Sequence, residues 1–148
     1  MDKPTPPRSD DGLPSEDILR RIRVPLMRRA TLKVDDHPEE VFVIDLALDG
    51  VFVERSSPLP VGAQVALSFP LPENAIPIVA ACRVAWWQSG DPAALPKSMP
   101  AGAGLTFVSL VAGDEAKIRR YLTEYYLREP RSRRFVSHAS ARRNEGGS

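Results

Sequence analysis

The sequence contains a single cysteine, Cys82, among 148 residues. With no second thiol an internal disulfide framework is excluded, and the environment reads as reducing or indifferent. Cys82 sits inside an apolar run with no histidine beside it, which reads as a buried, inert thiol and not as a nucleophile. Histidine is almost as scarce. His37 stands in Asp35-Asp36-His37-Pro38, a turn sequence, and His138 lies near the C-terminal end. Zinc takes three or four well-spaced nitrogen or sulfur donors, so no metal site is expected. No stretch approaches the roughly 18 apolar residues of a spanning helix. No basic-then-apolar start marks a secretory signal, so a cytoplasmic protein without membrane insertion is expected. Also missing are a nucleophile–base pair, a glycine-rich phosphate loop and paired carboxylates at a workable spacing. The expectation is therefore a protein that is not an enzyme and needs no cofactor.

Charge of one sign is lacking too. A net charge of +1 gives no overall attraction to nucleic acid or membranes. The local distribution is less even. Arg20, Arg21, Arg23, Arg28 and Arg29 fall within ten residues. Residues 129–148 are also rich in arginine, but Phe135 is the only aromatic among them. That segment reads as a solvated, disordered tail, with nucleic-acid binding through it as the alternative.

A length of 148 residues is a prior for one domain. Residues 1–17 are polar and proline-rich, cannot bury enough surface to offset ordering, and are expected to be disordered. Ser15 before Glu16-Asp17 is a plausible cap for a short helical turn, limited by Pro25. The domain proper is expected over 18–128. Strand patterns follow at 27–34, 39–46, 51–54, 63–69, about 76–87 and 102–109. Asp35–Pro38 reads as a turn, and Asp49-Gly50 as a hairpin turn in which glycine takes positive φ. Residues 114–128 form the one convincing helix, with Ile118, Tyr121, Leu122 and Tyr125 on one stripe and acidic residues at its start. Strands without intervening helices argue a mainly β, antiparallel barrel or sandwich. Trp86 and Trp87 are adjacent, so on a regular strand only one can face the core. The other, with Tyr126, is a candidate protein interface.

The order of these parts resembles the PilZ domain family. The resemblance covers roughly residues 19–127. Arg20-Arg21-Ile22-Arg23 precedes the first strand, where the family carries RxxxR. Asp45-x-Ala47-x-x-Gly50 closes the second, where it carries [D/N]xSxxG. Arg83-Val84-Ala85-Trp86 is similar to its fifth strand, and Ala103-Gly104-Leu105-Thr106-Phe107 to its sixth. No single motif is specific; the ordered set carries the resemblance. It implies a six-stranded antiparallel β-barrel with a C-terminal helix, and a bacterial signalling or adaptor protein in a motility or other regulatory pathway. The implied ligand is cyclic di-GMP, with Arg20, Arg21, Arg23, Asp45, Ala47 and Gly50 as candidate ligand-binding residues. Arginine suits that ligand because its fork pairs with phosphate or the guanine O6/N7 edge. Two positions depart from the pattern. Leu19 stands where the first arginine belongs if Arg23 is the second, and Ala47 replaces the serine. Two readings follow. One is a degenerate site on a module that acts through an unidentified protein partner. The other is a working cyclic di-GMP effector using Arg20, Arg23 and Asp45.

Overall fold

A computed structural model describes residues 13–89 and 100–129. Of residues 1–17, expected to be disordered, 13–17 are described, with Ser15 capping a helix that starts at Glu16; residues 1–12, the greater part of the loop after the fifth strand and the tail from 130 lie outside the described residues. The elements are α1 (Glu16–Arg21), β1 (Arg23–Val34), β2 (His37–Ala47), β3 (Gly50–Glu54), β4 (Gln64–Phe69), β5 (Ile78–Gln88), β6 (Gly102–Leu110) and α2 (Asp114–Arg128). The strands close into an antiparallel barrel in the order β1-β2-β3-β6-β5-β4, with β4 returning to β1. Closure gives every strand a neighbour on both sides, with β1 meeting β4 over Thr31–Lys33. The expected six-stranded barrel with a C-terminal helix is the fold.

Both hairpins differ in detail from their expected form. β1 starts at Arg23 and runs through Pro25, which pairs with Asp45. The register then slips before Arg28, where Met27 takes a φ of 53°. A proline cannot donate to a ladder, and a bulge is where a strand tolerates one. The first turn is Asp35-Asp36, both at positive φ, so His37 and Pro38 already belong to β2. The second turn is Leu48-Asp49, because Gly50 pairs with Ala47 as the first residue of β3. Gly50 is not at positive φ. It is needed for a different reason: a Cβ there would overlap the Leu105 carbonyl oxygen of β6.

One inward row, Val24, Leu46, Val51, Leu105 and Val84, runs across five strands by direct pairing. Each of these side chains is buried. Leu19 and Ile22 join that core, as do Ile118 and Leu122 of α2. The helix stripe is thus the packed face. Arg119 ties the two helices, donating to both carboxylate oxygens of Glu16 at 2.8 Å and to Glu115 at 3.1 Å. At the start of α2 the buried Asp114 carboxylate accepts from the Val79 backbone N–H at 3.3 Å. Cys82 is 1% exposed, and desolvation pushes its thiol up to about 12. No helix among the described residues is long and apolar enough to cross a membrane. No group of three or more metal-ligating side chains occurs among them.

Candidate functional site

Pairing alternates faces, so the rows beside the inward one point outward. Two outward rows meet near the second hairpin. The first is Arg23, Ala47, Gly50, Thr106 and Arg83. The second is Pro25, Asp45, Phe52, Gly104 and Trp86.

Two bulges aim the second row. On β2, Val43 pairs with Val53 and Asp45 with Phe52, leaving Ile44 as an extra residue. Val43 and Leu46 lie three apart yet both face the core, and Asp45 turns out beside Phe52. On β5, Val84 pairs with Leu105 and Trp86 with Gly104, so Ala85 is extra. Without that bulge Trp86 would follow Val84 inward. With it, Trp86 faces out and Trp87 packs partly against the core. The Trp86 ring stacks on Phe52, centroids 5.3 Å apart and planes 17° apart. It crosses directly over Gly104, where a Cβ would strike the indole. Glycine is therefore what lets two aromatics meet across the intervening strand.

The floor left by these small residues is a cleft of about 90 Å³, bordered by Arg23, Asp49, Gly50, Ala85, Trp86, Gly104 and Thr106. Asp45 stands next to Arg23. Its carboxylate accepts from the Phe52 backbone N–H. Its Oδ1 is buried with no hydrogen-bond partner among the described residues. Arg23 Nη1 lies 3.9 Å away, too far for a hydrogen bond. Burial raises the Asp45 pKa, and Arg23 and the Phe52 N–H only partly oppose it.

A carboxyl with a raised folded pKa binds its proton more tightly in the fold than in the open chain. Its charge therefore costs stability as the pH rises above the ordinary carboxylate range. Asp45→Asn is expected to stabilise the protein at pH 7 by on the order of 1 kcal/mol, since a neutral amide is cheaper to desolvate. The gain should shrink to nothing as the pH falls below 4. Urea melts of both proteins at pH 7 and pH 3.5 check this; a gain of equal size at both would show that the charge is not the cause.

The other expected site residues are dispersed. Arg20 pairs with Glu16 at 3.2 Å and lines a separate cleft of about 390 Å³ with Leu48, Asp49 and the β6–α2 connection. The Leu48-Asp49 turn thus stands between Arg20 and Arg23. Arg21 pairs with Asp17 at 2.9 Å. Ala47 is 4% exposed, between Arg23 and Gly50 on the first row. Leu19 is a core residue. Arg28 and Arg29 lie farther along β1, opposite Val43 and Phe42, with Arg29 near Glu40 at 3.7 Å. Tyr126 packs partly against the core. The sequence reading treated Arg83 and Thr106 as strand signatures only; alternation from the buried Val84 and Leu105 would have placed both outside.

These features define a small closed antiparallel β-barrel module that carries an arginine, a buried carboxylate and a stacked tryptophan together on one outer face. The PilZ domain family model matches residues 19–124, and the chain belongs to that family. Among solved structures, it is similar to the inhibitor of motility MotI/DgrA of Bacillus subtilis, at 18% identity and a TM-score of 0.60. That match covers 73% of this chain and 50% of the other, so the chain spans half the length of that relative. The PlzA protein of Borreliella burgdorferi, solved in complex with c-di-GMP, aligns at 16% identity and a TM-score of 0.46, covering 74% of this chain and 38% of PlzA. No curated protein matches the chain.

Proposed function

We propose that this protein is a non-enzymatic PilZ-type signalling module whose cyclic di-GMP site is degenerate and which acts mainly by binding another protein. The observation that carries the reading is the position of Leu19. It is a core side chain at the place where the family pattern expects an arginine. Arg20 is the next candidate, and it is engaged with Glu16 across the turn from Arg23. Ala47 supplies no hydroxyl. Of the expected ligand contacts, Arg23 and Asp45 remain side by side. Losing one charge-assisted contact costs roughly 1.5–3 kcal/mol and a neutral one about 1 kcal/mol. Together they lower affinity on the order of a hundredfold or more. The likeness to an inhibitor of motility makes a bacterial motility or related regulatory pathway the setting of choice. Trp86, 39% exposed on the outer face, is the aromatic available to a partner.

Titration calorimetry with cyclic di-GMP tests the reading. No saturable heat is expected at micromolar protein and ligand; a Kd in the micromolar range or tighter sinks it. A second reading, that the module is still an effector, is favoured by the orphaned Asp45 Oδ1, which lacks the donor a guanine edge would supply. On that reading Arg23→Ala abolishes binding, and an unchanged affinity in this variant disposes of it.

A further inference from the structure

We propose that the cleft between the β4–β5 connection and the outer face of α2 is where this protein receives its partner, taking a carboxylate side chain from an acidic segment of that partner through Arg28, Arg120 and Arg128. The inference rests on the reading that the protein acts by binding another protein, and it names the surface and the chemistry of what docks there.

Unpaired cations gather at this cleft. Arg20, Arg21, Arg23, Arg29, Arg55 and Arg119 each have a carboxylate oxygen at 3.9 Å or less. Among the described residues, Arg28, Arg83, Arg120 and Arg128 have none within ion-pair distance. Arg83 stands apart on β5. The other three surround Tyr121. Arg120 and Arg128 border the same cleft as that tyrosine, about two turns apart on α2. Arg28 comes from β1. It pairs with the buried Val43 and alternates with the buried Ala30 and Leu32, so it leaves the strand on the side that α2 covers, yet it stays exposed. Burial raises the Tyr121 pKa, and Arg28 and Arg128 both oppose the rise, so both guanidiniums lie within electrostatic reach of one hydroxyl. A solvated basic face spreads its charges; here two separate elements bring theirs together.

Size and charge select the occupant. The cleft holds about 160 Å³. That is below the roughly 300 Å³ at which small-molecule sites begin. A side chain fits and a nucleotide does not. The wall opposite α2 is fixed in advance. Leu71 is buried, the Asn74 backbone N–H donates to its carbonyl at 3.1 Å, and the Asn74 side-chain amide donates to the Pro72 carbonyl at 3.1 Å. Glu73 and Glu124 also border the cleft, with Lys117, which Asp114 holds at 3.4 Å. Glu124 lies one turn from both Arg120 and Arg128, yet outside ion-pair distance of each. These acids leave only a small positive excess, which suits a group of single negative charge and works against a polyphosphate. A carboxylate accepts both arms of a guanidinium fork. Leu127, 40% exposed on the same stripe of α2 as Arg120 and Glu124, adds an apolar contact beside the charges. Tyrosine and arginine around such a contact are the residue types that dominate binding energy at protein interfaces. Residues 130–148 add five arginines against one glutamate, and charge of that sign speeds encounter with an acidic partner.

Fluorescence anisotropy of the full-length chain at low salt tests this, with a labelled peptide of glutamates flanking a central leucine as the probe. Saturable binding is expected in the wild type. Arg28→Gln and Arg120→Gln should each weaken it about threefold to fivefold. Their melting temperatures should match wild type, because both side chains are exposed. Arg83→Gln removes the same charge away from the cleft and should bind the peptide as wild type does. The proposal is overturned if all three variants weaken binding alike, since net charge would then be the cause, or if Arg28→Gln and Arg120→Gln titrate like wild type. It is equally overturned if the wild type ignores the peptide, whether or not it sediments with phosphatidylglycerol vesicles or binds single-stranded DNA. A micromolar Kd for cyclic di-GMP would sink the degenerate-site reading while leaving these peptide results standing.

Discussion

A Leu19→Arg variant is expected to lose about 3 kcal/mol of stability and to bind cyclic di-GMP no better than wild type. By sequence alone the same substitution looks like a repair, because it restores the first arginine of the family motif. The fold reverses that expectation. Leu19 is 6% exposed and belongs to the cluster that contains Ile22, Ile118 and Leu122. Losing a buried leucine side chain alone typically costs 2–5 kcal/mol. A guanidinium there adds the cost of a charge with no partner, unless α1 shifts to let it reach water. Such a shift would strain the ties from Arg119 to Glu16, which hold α1 against α2. A melting temperature lowered by about 10 °C is the expected readout. Leu19→Met, which keeps volume and polarity, should cost less than about 1.5 kcal/mol. A Leu19→Arg protein as stable as wild type and tighter for the nucleotide would return this position to the ligand site.

The barrel was legible in the sequence because its signals are local and repeated. Alternation, turn residues and a helical stripe each appear within a short window, and all point to one fold. The register was not legible, and the site depends on it. A single extra residue at Ile44 decides that Asp45 faces out, and another at Ala85 decides which tryptophan does. A period-two pattern gives no warning of such a slip, because a bulge is settled by pairing with another strand. Asp49-Gly50 misled for a related reason. The pair matches a turn preference, yet the turn closes one residue earlier, and the glycine answers to β6, more than fifty residues away in sequence. The arginine cluster was visible as composition. Its division by the Leu48-Asp49 turn, with Arg20 on one side and Arg23 on the other, required the folded chain.

Gly50→Ala is expected to be, with Gly102→Ala, one of the two most damaging single-methyl additions in the barrel, costing about 4 kcal/mol. At Gly50 the added Cβ would overlap the Leu105 carbonyl oxygen and crowd the Thr106 Cα, both backbone atoms of β6. Backbone in a closed barrel cannot rotate aside as a side chain can. Relief would require β3 and β6 to separate where Gly50 pairs with Thr106, opening the barrel at the rim of the ligand face. Gly104→Ala provides the comparison. Its Cβ meets the Trp86 indole, a side chain that can swing off Phe52. That variant should lose about 1–2 kcal/mol, on the scale of one aromatic stacking contact plus modest repacking, and its tryptophan emission should shift to the red as Trp86 enters water. Gly62→Ala and Gly113→Ala act by a third route. Both positions have positive φ with open space around the added methyl, so only backbone strain of about 1–2 kcal/mol is expected. Urea melts of the four variants give the order Gly50 far above the other three. If Gly50→Ala melts with the rest, β3 and β6 are not pressed together at the hairpin, and the glycine of the motif is there for the ligand and not for the barrel.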